Sequence, residues 1–140
     1  MRKYVLVFLL VLALALVACG GDSDDAASSD AGSTSVGDAA RGEELFNQVT
    51  IGPNSAPGCV TCHSLEPGVV LVGPSQSDVA TRAETRVDGM SAEDYIRQSI
   101  IEPNAYVVDG FTEGVMYQNY GEELSARDIN DIVAFMLTLK

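Results

Sequence analysis

The chain is poor in positive charge and in histidine. Of its 140 residues, 8 are Lys or Arg against 20 Asp or Glu, with a single His and no Trp. Two of the basic residues, Arg2 and Lys3, stand at the start; beyond them the chain carries one lysine, Lys140. Nucleic acid is bound through clustered positive charge, and so acidic a chain excludes it as a partner. One imidazole cannot serve a centre that needs two. Three cysteines, two of them in one short motif, build no disulfide framework. No Ser/His/Asp set and no glycine-rich phosphate loop is present, and no small-molecule substrate site is legible. The 46% apolar fraction is inflated by the first eighteen positions, which are almost wholly apolar. The remainder is modest in apolar residues for about 100 residues of domain, a size at which a cofactor helps to fill the core.

What the chain does have begins at its N-terminus. Met1-Arg2-Lys3 is a charged start, and Tyr4 to Ala18 is an almost unbroken apolar run. At about 15 residues it is short for a membrane span and right for the core of a signal peptide. It ends in Leu16-Val17-Ala18-Cys19, then Gly20-Gly21, which resembles a bacterial lipobox. That resemblance implies that Cys19 receives a diacylglycerol thioether and becomes the first mature residue, with two or more acyl chains making a stable anchor. An ordinary cleaved signal with a chance cysteine, or a retained anchor, are the alternatives; all three export the domain. Asp22 to Gly37 is Ser, Asp, Ala, Gly and Thr with one Val, which cannot form a core. As random coil it would reach about 25 Å. The expected organisation is a signal peptide over residues 1–18, a flexible acidic tether over 19–37 and a folded domain over 38–140.

The domain is organised around Cys59-Val60-Thr61-Cys62-His63. C-x-x-C-H is the attachment signature of c-type haem. Two thiols at this spacing add across the two vinyl groups of one porphyrin, and the turn that places both sulfurs puts the following imidazole under the iron. A chance cluster, a zinc site and a thioredoxin-like motif are the competing readings. Zinc wants four ligands and three N/S candidates are present; a thioredoxin-like site wants a βαβ pattern, which is missing. On these residues the sequence resembles the cytochrome c family. The resemblance implies an all-α fold, small, with N- and C-terminal helices crossing and helices and loops wrapped round one covalently bound haem c.

Local signals agree with it. Asp38 offers an N-cap to a first helix over Ala39–Phe46, and Ser91 to another that Pro103 ends, with Tyr95, Ile96, Ser99 and Ile100 as its inner stripe. Ser125 begins a last helix whose stripe is Ile129, Ile132, Val133, Met136 and Leu139. A further helix within Ser75–Val87, capped by Ser75 or Ser77, is expected. Val69 to Val72 reads as extended chain, while Asn47–Gly58 and Asn104–Glu123 read as loops. Gly42 inside the first helix costs about 1 kcal/mol against Ala, which suggests a close helix crossing. In the family a small residue and an aromatic on the first helix meet an aromatic on the last; Gly42, Phe46 and Phe135 match. The family also has a proline whose carbonyl holds the far ring nitrogen of the haem histidine, and Pro74 is the match.

Methionine is the family's usual second axial ligand. Met116 lies in an apolar, glycine-flanked loop before the last helix, where the family places it; Met90 is the alternative, and Met136 lies on the helix stripe. The sequence departs from the family at Tyr117, where proline is frequent. The resulting expectation is Cys59 and Cys62 on haem c, with His63 and Met116 as metal ligands. A saturated His/Met centre with raised potential belongs to an electron carrier and not an enzyme. The carrier is expected lipid-anchored on the outer face of a bacterial cell membrane, with redox proteins or a membrane oxidoreductase complex as partners. The other readings are a fixed haem subunit of such a complex, and a five-coordinate haem enzyme or gas sensor with Met116 off the iron.

Overall fold

A computed structural model describes residues 37–140. The signal peptide, Cys19 and nearly all of the tether lie outside the described residues. Five helices and one small hairpin follow in order: α1 (Ala39–Phe46), β1 (Thr50–Ile51), β2 (Ala56–Pro57), α2 (Val79–Ala83), α3 (Ala92–Ile101), α4 (Tyr120–Glu123) and α5 (Ala126–Met136). A 3₁₀ turn over Cys59–Thr61 separates β2 from the segment leading to α2. The domain is all-α, and among the described residues no helix is long and apolar enough to cross a membrane.

The helix starts follow their caps. The Asp38 carboxylate accepts from the N–H groups of Ala40 and Arg41, and the Ser91 hydroxyl from Asp94. At α5 the bonding is reciprocal: Ser125 accepts from the Asp128 N–H, and Asp128 accepts from the Ser125 N–H. Each cap satisfies donors that the first turn would leave unpaired.

The frame is the crossing of α1 over α5. Gly42 lets the backbones meet, since a Cβ there would stand 1.9 Å from the Asp131 carbonyl oxygen. Phe46 and Phe135 pack beside it, ring centroids 5.6 Å apart and tilted by 59°. Charge secures the same crossing. Asp131 is buried, accepts from the Asp38 N–H at 2.7 Å and pairs with the Arg41 guanidinium, which also pairs with Asp128. Phe46, Ile96, Ile132 and Val133 are the most deeply buried large side chains, so α1, α3 and α5 share one core. Gly37 also lies against α5, where a Cβ would meet the Asn130 backbone at 2.5 Å.

Several elements differ from the sequence expectations. The helix expected within Ser75–Val87 is only Val79–Ala83, and neither Ser75 nor Ser77 caps it; the N-cap position is Asp78, at φ +59°. Residues 75–77 are committed elsewhere, because Arg82 donates to the carbonyls of Ser75 and Ser77, and the Gln76 N–H to Ser64. The 47–58 loop contains the antiparallel β1–β2 pair, in register Thr50 with Pro57 and Ile51 with Ala56. Tyr120–Glu123, expected as loop, is the short helix α4. Helix α5 ends at Met136, and Leu139 lies beyond it, its carbonyl accepting from the Ala80 N–H at 3.0 Å.

Candidate haem site

The Cys59–Thr61 turn closes on itself: the N–H groups of Cys62 and His63 both donate to the Cys59 carbonyl, at 3.1 and 2.9 Å. It is also pinned from outside. Tyr120 of α4 donates its hydroxyl to the Pro57 carbonyl at 2.6 Å, two residues before Cys59. Cys59, Cys62 and His63 thereby line one cavity of about 1020 Å³. That is at the top of the roughly 300–1,000 Å³ range of cofactor sites. Its apolar walls include Phe46, Ile96, Ile132 and Met136 from the helices, and Val70, Leu71 and Val72 at one rim.

His63 is held from behind. Its Nδ1 lies 2.8 Å from the Pro74 carbonyl oxygen, an acceptor only, so Nδ1 carries the proton and donates. Burial pushes the imidazole below its ordinary pKa, and the Pro74 carbonyl opposes this less strongly. The ring is therefore neutral near pH 7, with the lone pair on Nε2, the form that binds a metal. Gly73 leaves room for the ring: a Cβ there would come within 2.4 Å of His63 Cε1. Burial also pushes the Cys59 thiol up to about 11.

The four methionine candidates separate by position. Met1 lies outside the described residues. Met116 lines the cavity and Met90 does not; Met136 lines it from the tightly packed face of α5. The Met116 loop is turned by Gly110 and Gly114, at φ +87° and +78°, and tied by the Gly114 N–H donating to Asn104 Oδ1 at 2.9 Å. Beside Met116, the Tyr117 hydroxyl donates to Glu123, which also accepts from the Asn54 N–H and side-chain amide at 3.1 and 3.0 Å. The long 47–58 loop is thus tied, through Glu123, to the residue after Met116.

Three residues at the site carried no sequence expectation. Arg82 and Arg86 line the cavity, and Arg86 Nε is buried without a hydrogen-bond partner among the described residues. Two arginines four apart in a chain so short of positive charge were the available signal. Gln76 is buried with its side-chain amide 2.8 Å from His63 Nδ1, and nothing in the sequence marks it.

The cavity fits haem. It offers paired thiols, a neutral imidazole with a free Nε2, a thioether, apolar walls for a porphyrin and an orphaned cationic N–H for its carboxylates. Among the described residues, no three His, Cys, Asp or Glu side chains converge on a metal-sized point, so the zinc alternative lacks its donor set.

Residues 39–140 match the family model described as cytochrome c. The match spans well over half of the chain, and the chain belongs to the cytochrome c family. Its cofactor is covalently bound haem c, and it is a haem c electron carrier. A search among curated proteins gives no match.

Proposed function

We propose that haem c is attached through Cys59 and Cys62, that His63 and Met116 ligate its iron, and that lipid on Cys19 tethers this carrier outside the cytoplasmic membrane of a bacterium. It would serve a respiratory or photosynthetic electron-transfer chain. The observation that carries the ligand reading is that Cys59, Cys62, His63 and Met116 line one cavity while Met90 stays off it. When bound, haem c supplies a one-electron iron couple. The residues supply two fixed ligands and a water-poor wall, which limit reorganisation when the charge changes.

The anchor reading rests on Leu16-Val17-Ala18-Cys19 and on the core-less composition of the tether. A tether keeps the search for partners local, which reduces the need for long-range charge steering. The exposed apolar side chains of Val70, Leu71, Val72 and Val115 at the cavity rim support docking of a redox partner by apolar contact.

The ligand test is the weak far-red absorption band of a Met-ligated ferric haem. Met116→Leu should abolish it and open the reduced protein to carbon monoxide, while Met90→Leu should leave both unchanged. A band that survives Met116→Leu sinks the ligand assignment. For the anchor, Cys19→Ser should move the protein from the detergent phase to the aqueous phase; equal partitioning of both forms rejects lipidation.

A further inference from the structure

We propose that Gln76 is a positioning residue for the axial histidine: its side-chain carbonyl is a second acceptor for the His63 Nδ1–H. The inference rests on the proposed ligation of iron by His63 through Nε2.

The argument is one of donors and acceptors. Two groups lie 2.8 Å from the same nitrogen, the Pro74 carbonyl oxygen and the amide end of Gln76, which is drawn with Nε2 toward the ring. The carbonyl can only accept, so the proton is on Nδ1. An imidazole that offers Nε2 to a metal has its proton on Nδ1 as well. The Gln76 atom facing an N–H at this distance must then also accept, which makes it the amide oxygen and not the amide nitrogen. The two ends of an amide are assigned from their surroundings, and here the surroundings admit one choice. Turning the amide this way gives up little, because the alternative bond from its nitrogen to Pro74 is 3.5 Å long.

Gln76 is not there by chance of a mobile side chain. It is 8% exposed. Its N–H donates to the Ser64 carbonyl at 2.8 Å, and its own carbonyl accepts from the Val79 N–H at 3.2 Å. The flanking carbonyls of Ser75 and Ser77 are both gripped by Arg82, and the Ser75 hydroxyl donates to the Glu66 carbonyl at 2.7 Å. The segment that broke the expected helix is therefore clamped at His63 from both sides.

Two acceptors on one N–H draw its proton outward and leave more electron density on Nε2. A more basic axial ligand favours ferric over ferrous iron and lowers the reduction potential. Gln76 would also hold the ring plane when the charge on iron changes.

The test uses the haem-loaded protein. In Gln76→Leu and in Gln76→Met, which keeps length and shape, the midpoint potential should rise while the ligation spectrum stays that of wild type. Gln76→Glu, which keeps an acceptor oxygen at the same reach, should hold the potential at or below wild type. In the reduced, diamagnetic protein the His63 Nδ1–H proton should exchange with solvent faster in Gln76→Met. Loss of packing alone would not order the potentials in this way. Potentials of Gln76→Leu and Gln76→Met at or below wild type overturn the proposal. Failure of the underlying ligation is read separately: His63→Gly would then keep the wild-type ligation spectrum.

Discussion

Gly42 and Asp131 are in backbone contact. A methyl group on Gly42 would lie 1.9 Å from the Asp131 carbonyl oxygen and 2.9 Å from Phe135 Cβ. Neither neighbour can yield without moving α5. Gly42→Ala gains about 1 kcal/mol of helix propensity and loses more than that in forced separation of the helices. Overpacking costs about 1–3 kcal/mol at a side-chain contact, and contact with backbone belongs at the upper end. The expected outcome is a net loss of about 2 kcal/mol, read as a lower urea midpoint at unchanged slope. A midpoint at or above wild type would show that the crossing has slack.

Gly73 is required for space around His63. Its Cβ would fall 2.4 Å from Cε1 and 2.8 Å from Nδ1 of the ring. Gly73→Ala should displace the imidazole and weaken its bond to Pro74, by about 1 kcal/mol or more. The measurable result is a lower thermal midpoint of the haem-loaded protein together with altered axial-ligand bands. Unchanged bands with an unchanged midpoint would be the contrary result.

Glu123 makes stability depend on acid. Its carboxylate accepts from the Asn54 N–H, the Asn54 amide and the Tyr117 hydroxyl, and the bonds to Asn54 hold its pKa below the ordinary value against the opposing effect of burial. A group whose folded pKa is depressed stabilises the fold fully above its unfolded pKa, about 4.3 for Glu. That stabilisation is lost as pH falls through the lower folded value. Wild type should therefore lose more stability than Glu123→Gln between pH 7 and the acid range. Parallel acid titrations of the two, followed by urea midpoints, decide the matter. Because Tyr117 follows Met116, the far-red band should fade over the same acid range in wild type.

Arg86 offers a buried Nε that no other described residue satisfies. A carboxylate of the porphyrin at that wall would pair with it. Arg86→Leu should remove one charge-assisted hydrogen bond, worth about 1.5–3 kcal/mol. It should also lower the reduction potential, because a cation beside the cavity disfavours ferric iron. Redox titration checks this, with Arg86→Lys expected between the two. A potential that is identical in all three proteins would place the carboxylates elsewhere.

Much of this was legible in the sequence wherever the cause was local. Asp38, Ser91 and Ser125 announce their helices because a cap acts on N–H groups two or three residues away. Gly42 was readable because a glycine inside a helix needs an external reason, and Phe46 and Phe135 because they match the aromatics that the cytochrome c resemblance implies at such a crossing. The C-x-x-C-H turn carries its own spacing. What failed was also physical. The stretch from Ser75 has helical composition, but its carbonyls are taken by Arg82 and its side chain by His63, so propensity lost to tertiary bonds. The β1–β2 pair and α4 are too short for any periodicity to announce them.

The sequence by itself determined the class of centre, through paired thiols and one histidine in five residues, and the capped starts of the main helices. These depend on residue type and on spacing along the chain. The tertiary structure alone decided that Met116 and Met136 line the cavity with His63 while Met90 does not, that Gly73 yields space to the ring, and that Gln76 and Arg86 face the site. Those relationships join residues far apart in sequence, and their energies depend on distance and burial, which exist only once α1, α3 and α5 have closed the core.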